Sequence, residues 1–149
     1  MINEKPAKYL FEYQQKKYFY GDLLDAFRSI GIDKSDKVFL HADLKAFGKI
    51  NPEVIREEYI DSFIKALMEA VGEKGTIIVP TFSYSFCEGK LYDLVNTPST
   101  VGILTERFRK IEDAVRTIDP IFSVSIWGND KNYYSDVGLD CFGEKSIFQ

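Results

Sequence analysis

Between Ile60 and Pro80 the apolar residues change their spacing once, and that change confines the chain to an α/β architecture. Ile60, Phe63, Ile64, Leu67, Met68 and Val71 recur at i, i+3, i+4 and i+7, one face of a helix, with Gly72 placed to stop it. Gly75 then opens Thr76-Ile77-Ile78-Val79-Pro80, a β-branched run without polar alternation, which predicts a buried strand. Pro80 has no N–H to give to a ladder and marks the strand's end. The same alternation precedes this pair. Leu23, Leu24, Phe27 and Ile30 share a helical face ahead of Gly31, and Val38-Phe39-Leu40-His41-Ala42 reads as another buried strand. From Thr81 to Asn96 no period is sustained, which predicts a surface loop. A third helix is expected near Thr97-Pro98-Ser99, with Thr97 or Ser99 as its cap and Val101, Leu104, Phe108 and Ile111 turned inward. Val115–Thr117 and Ser123–Trp127 are expected as strands on either side of Pro120. Strands alternating with helices in this way describe a layered α/β domain.

Composition narrows the function classes. The 149 residues suit one domain, residues 1–149. Nineteen Lys and Arg against 23 Asp and Glu give a net charge of −4, a poor match for DNA or RNA. Cys87 and Cys141 are isolated, and with a single histidine the chain has too few ligands for a Cys/His zinc site, so no metal is expected. Two unpaired thiols fit a reducing compartment. Met1 to Lys17 has no apolar signal core, and no stretch approaches the ~20 apolar residues of a membrane span. A soluble cytoplasmic protein is expected.

Ligands of open α/β sheets bind outside the carboxyl ends of the strands. Two such ends are His41-Ala42-Asp43-Leu44, leading into Gly48, and Pro80-Thr81-Phe82-Ser83. The helix start at Thr97-Pro98-Ser99 would add free N–H groups suited to a phosphate or carboxylate. No dinucleotide fingerprint and no Walker motif accompanies them. His41 is either a general base or a hydrogen-bonded structural residue, and position alone favours the second. Asp43 either caps its loop or orients a cationic ligand, and capping is the simpler role. Cys87 lacks a second histidine to activate it and reads as a spectator thiol. Phe82, Tyr84, Phe86 and Tyr92 stack on a ligand ring or pack on the core equally well.

In order, these blocks say more than they do singly. His41-Ala42-Asp43-Leu44 with Gly48 is followed by Gly75 to Ser83, then by Thr97-Pro98-Ser99-Thr100-Val101-Gly102 with Glu106 and Phe108-Arg109. Arg116-Thr117-Ile118-Asp119-Pro120, Ser123-Val124, Gly128 and the closing Phe142 to Phe148 complete the series. This succession, over about residues 21 to 148, resembles the aminoglycoside 3-N-acetyltransferase family. The resemblance implies a layered α/β/α fold distinct from the GNAT acetyltransferases, and acetyl transfer from acetyl-CoA to an amino group on an aminoglycoside or amino sugar. It places His41, Ala42, Asp43 and Leu44 along the acetyl-CoA site, with Thr81, Thr117 and Ser123 adding hydroxyls around the same cleft. The chemistry needs donors aimed at a developing oxyanion and a base to keep the amine neutral.

Three departures qualify the substrate. Ala42 and Asp43 stand where the family usually has Ser or Thr. Asp119 and Phe122 stand where the drug-modifying members carry histidines, which turns the expectation towards an amino sugar, with a nucleotide-linked one as a competitor to an antibiotic. The family chain also runs on, so the general base is expected beyond Gln149 and the chain is expected to be a shortened form. The alternatives are a non-catalytic CoA-binding remnant and a small α/β binding module of flavodoxin type. A shortened domain should leave apolar sheet surface exposed and favour association with further copies.

Overall fold

The centre of the computed structural model, which describes residues 7–149, is a strand with every residue buried, Thr76–Pro80. The elements, in chain order, are β1 (Phe11–Tyr13), β2 (Lys16–Tyr18), α1 (Tyr20–Ser29), β3 (Lys37–Phe39), β4 (Lys49–Ile50), α2 (Arg56–Val71), β5 (Thr76–Pro80), α3 (Ile103–Phe108), β6 (Val115–Arg116), β7 (Val124–Gly128) and α4 (Lys131–Ser135). The main sheet has the order β3-β5-β7-β6. β3 runs parallel to β5 by way of α2, while β7 runs antiparallel to both β5 and β6. Alternate side chains of β5 therefore serve different layers. Ile77 and Val79 join the larger core beneath α1, α2 and α3, and Ile78 joins Val124 and Ile126 on the opposite face.

The helical layer is built by the predicted stripes. Leu23, Leu24 and Phe27 of α1 meet Phe63 and Leu67 of α2 in that core, with the rings of Phe27 and Phe63 edge-on at 5.2 Å. Ile30 is a correction. It is the C-cap past the last turn of α1 and is 74% exposed, and the chain turns at Gly31, φ +94°, to bring Ile32 back against the core. One glycine has a purely structural reason. Gly128 lies opposite Thr76 at φ +117°, so close that a Cβ would collide with the Gly75 carbonyl oxygen.

The structure departs from the sequence reading at several elements. The second strand was expected to be buried over residues 38–42. β3 is instead an edge strand of three residues with Phe39 48% exposed, since only β5 pairs with it. The third helix begins at Ile103 with Gly102 as its cap, leaving Thr97, Pro98 and Ser99 in the loop ahead of it. The loop from Thr81 is not wholly superficial, because Thr81, Ser83 and Ser85 are buried. A second, three-stranded sheet, β2-β1-β4, packs Phe11 flat against Tyr18 at 4.9 Å.

On the face opposite the three helices, Phe122 meets Phe82 at 5.1 Å and Phe142 at 5.4 Å. Phe142 is 72% and Phe148 42% exposed. The exposed rings belong to the C-terminal segment, while Ile78, Val124 and Ile126 of the sheet beneath are buried, so the expected exposure of apolar sheet surface is not what this face shows. Among the described residues no helix is long and apolar enough to cross a membrane.

Candidate functional site

The His41–Leu44 segment begins where the sheet releases the chain. Leu40 makes the last bond to the sheet, donating its N–H to the Ile78 carbonyl at 2.8 Å. Asp43 then caps a single helical turn, Leu44–Phe47, accepting the Lys45 N–H at 3.0 Å. The capping role considered for Asp43 is the one it performs. Leu44 is buried and anchors the turn, while His41 and Asp43 are exposed.

These residues form one wall of a cavity of about 410 Å³. The facing wall is Val101, Gly102, Ile103 and Leu104, so the cavity lies between the loop after β3 and the start of α3. Gly102 sits at φ +141°, where a side chain is strained. Among the described residues, the backbone N–H groups of His41, Ala42 and Asp43 have no acceptor, and neither do those of Gly102 and Ile103. Both lining segments thus carry unpaired donors, the kind of group a carbonyl or phosphate oxygen requires. An adjoining cavity of about 580 Å³ shares Gly102 and Ile103 and continues past Arg56, Glu106, Arg107 and Lys110.

Charges beside this second cavity are mostly paired. Arg107 grips Asp61 with two bonds of 2.6 and 2.7 Å, which hold the Asp61 carboxyl below its usual range. Glu106 accepts from Arg109 at 2.6 and 2.8 Å, from Lys110 at 2.7 Å and from the Ser99 N–H at 2.8 Å. Partial burial pushes the Glu106 pKa up, but these donors outweigh it and bring it down to about 2. The carboxylate thereby pins the loop at Ser99 to α3.

The hydroxyls behave differently from expectation. Thr81, Thr117 and Ser123 do not line the cavity; they are at most 1% exposed, Thr81 and Ser123 bond each other, and Thr117 bonds Val124. Thr81 donates its N–H to the Ser123 carbonyl at 2.8 Å, and Ser123 Oγ donates back to the Thr81 carbonyl at 2.9 Å. Ser125 Oγ donates to Thr81 Oγ1 at 3.3 Å, and Thr117 Oγ1 accepts the Val124 N–H at 2.9 Å. This network closes the ends of β5, β6 and β7. The pairing of β5 with β7 turns these hydroxyls inward, which residue type alone does not reveal.

Two residues meet in a way the sequence reading did not join: Arg116 stood there only within a family block, and Tyr92 as a ring that stacks on a ligand or packs on the core. Arg116 donates to the carbonyls of Thr81 and Thr97 and, at 3.2 Å, to Ser123 Oγ. The Tyr92 ring lies 5.0 Å from its guanidinium carbon, and the Tyr92 hydroxyl donates to the Thr117 carbonyl at 2.8 Å. Burial draws the Arg116 pKa below its ordinary value and raises that of Tyr92. The available signal was an arginine inside a run otherwise read as strand. Nearby, the buried Asp119 accepts the N–H groups of Ile121 and Phe122 at 2.8 and 3.0 Å. Cys141 approaches the same carboxylate at 3.8 Å, and Cys87 is exposed.

Comparison with known proteins matches this arrangement to one family. The model described as aminoglycoside 3-N-acetyltransferase matches residues 39–149. Over 127 residues the chain is 26% identical to the SPbeta prophage-derived aminoglycoside N(3')-acetyltransferase-like protein YokD of Bacillus subtilis (strain 168), covering 70% of this chain and 44% of that protein. The crystal structure of YokD from Bacillus subtilis superimposes with a TM-score of 0.73 at 24% identity, over 86% of this chain and 58% of that one. AAC-IIIb in binary complex with CoASH gives a TM-score of 0.72 at 21% identity, covering 86% of this chain and 53% of that chain. AAC-VIa bound to sisomicin gives 0.72 at 20% identity, with the same coverage. The chain spans about half the length of these relatives, and the structures bear out the expected fold. With more than two thirds of its residues inside the family match, the chain belongs to the aminoglycoside 3-N-acetyltransferase family.

Proposed function

We propose that the cavity between His41–Leu44 and Val101–Leu104 is the acyl-donor site of an N-acetyltransferase, binding acetyl-CoA for transfer to an amino group of an aminoglycoside or amino sugar. The observation that carries this reading is the meeting of two family blocks, 58 residues apart from Leu44 to Gly102, around one cavity rich in unused N–H donors. A solved relative in complex with CoASH supports the cofactor, and one bound to sisomicin supports the class of acceptor.

Acetyl-CoA supplies a thioester, whose carbonyl carbon is open to attack by a neutral amine. The residues present fit such a group, since the cavity offers donors on both walls and no carboxylate but that of Asp43, which is turned to its own loop. The N–H groups of His41, Ala42 and Asp43 would take the thioester carbonyl oxygen, where negative charge develops as the C–N bond forms, or neutral carbonyl oxygens of the pantetheine arm. Leu44 and Leu104 are buried behind the walls and fix them to the core. As the C–N bond forms the C–S bond breaks, CoA leaves as its thiolate, and the proton shed by the amine ends on that sulfur to give the free thiol. Thr81, Thr117 and Ser123 would support the site from behind by bracing the strand ends.

Two assays test this reading. Titration calorimetry should show saturable binding of acetyl-CoA, and a thiol-release assay should show free CoA formed on addition of an amino sugar or aminoglycoside. Binding without thiol release would restrict the chain to a CoA-binding module. Absence of both would remove the proposal.

A further inference from the structure

We propose that Arg116 is a positioning residue for this cavity: its guanidinium sets the spacing between the end of β5 and the Thr97–Gly102 segment, and through that segment the wall at Val101–Leu104. Its consequence for binding rests on the acyl-donor reading; its structural effect does not.

The three acceptors of Arg116 come from segments far apart in sequence. Thr81 follows β5, Thr97 precedes α3, and Ser123 leads into β7. All three accepting oxygens are neutral, and Tyr92 covers the guanidinium face at 5.0 Å. Holding a half-buried cation against neutral oxygens is costly, so one bond alone would not account for an arginine there. Arg116 serves its three acceptors from three different nitrogens, a span that an ammonium, whose three donors radiate from one nitrogen, does not reproduce.

The next bond along the chain extends the same junction. Thr100 donates its N–H to the Phe82 carbonyl at 2.9 Å and its hydroxyl to the same oxygen at 3.1 Å. Consecutive carbonyls, Thr81 and Phe82, are thus tied to the Thr97–Thr100 stretch, the first through Arg116 and the second directly. Two residues beyond Thr100 lies Gly102, in the cavity wall. Glu106 fixes Ser99 from the α3 side. Arg116 is the member of this set that joins the loop to two strand ends together.

The test compares the full chain with Arg116→Ala and Arg116→Lys by hydrogen exchange and CoA calorimetry. In both variants the bonded amides of Thr97, Ser99 and Thr100 should exchange about tenfold faster or more, while those of β5 and β7 keep their wild-type rates. Millimolar guanidinium should restore protection in Arg116→Ala, where the space is open, and not in Arg116→Lys, where the ammonium stem fills it. CoA affinity should fall about tenfold in Arg116→Ala and recover with the same addition. Unchanged exchange at Thr97, Ser99 and Thr100, or a uniform rise across loop and sheet without guanidinium rescue, would overturn the proposal. A wild-type chain that binds no CoA would remove the acyl-donor reading, and the exchange pattern would still decide the role of Arg116.

Discussion

Glu106 and Arg109 form a two-pronged ion pair across one turn at the end of α3, with the Arg109 side chain only 6% exposed. The same carboxylate accepts the Ser99 N–H, so one side chain couples the helix to the loop that forms the cavity wall. In this account the wall is held by charge-assisted bonds, while the core behind it is held by packing.

Glu106 sets a dependence on pH. Its folded-state pKa of about 2 lies below the ordinary 4.5, so it contributes stability above the ordinary value and loses it as the pH falls from 4.5 through about 2. Glu106→Gln should lower stability at neutral pH by about 1–3 kcal/mol. It should also flatten the acid limb between pH 4.5 and 2. Urea midpoints measured across that range for both proteins check this, and parallel acid limbs would contradict it.

The hydroxyl network predicts coupling. Thr81→Ala leaves Ser125 Oγ without its acceptor, and Ser123→Ala takes one oxygen from Arg116. Each should cost about 1–3 kcal/mol, and the double variant less than the sum, because both belong to one network. A double-mutant cycle by chemical denaturation reads the difference. Strict additivity would mean that the two residues act separately.

Much of the fold was legible where pattern and boundary agreed. The α2 stripe ends at Gly72 and β5 begins just after Gly75, as the spacing required. The β1–β2 hairpin was not legible, because Gln14 and Gln15 make its turn at φ 49° and 65° without the usual Asn or Gly signal. The start of α3 was misplaced for a related reason. Thr97-Pro98-Ser99 has the composition of a cap, but Ser99 spends its N–H on Glu106 and its hydroxyl on Thr105, six residues on. His41 to Leu44, which line the cavity, were singled out by motif, whereas the bonds of Arg116 join three segments that only the fold brings together.

Two glycines should rank differently when replaced. At Gly102 an added Cβ meets nothing closer than Thr105 Oγ1 at 4.0 Å, so Gly102→Ala carries backbone strain alone, about 1–2 kcal/mol. At Gly128 the Cβ also strikes the Gly75 backbone, so Gly128→Ala should destabilise more and perturb the β5–β7 pairing. Melting temperatures of the two variants give the order, and equal shifts would contradict the close approach of the two strands.

The central claim is that the cavity between His41–Leu44 and Val101–Leu104 receives the acyl donor. Titration calorimetry with CoA on the wild-type chain and on Ile103→Trp tests it most directly, because Ile103 lines the cavity, is 45% exposed and lies outside the hydrophobic core. The account predicts one-to-one saturable binding to the wild type and its loss in the variant, with the melting temperature unchanged. Equal affinity in the two proteins would place the donor elsewhere on the molecule.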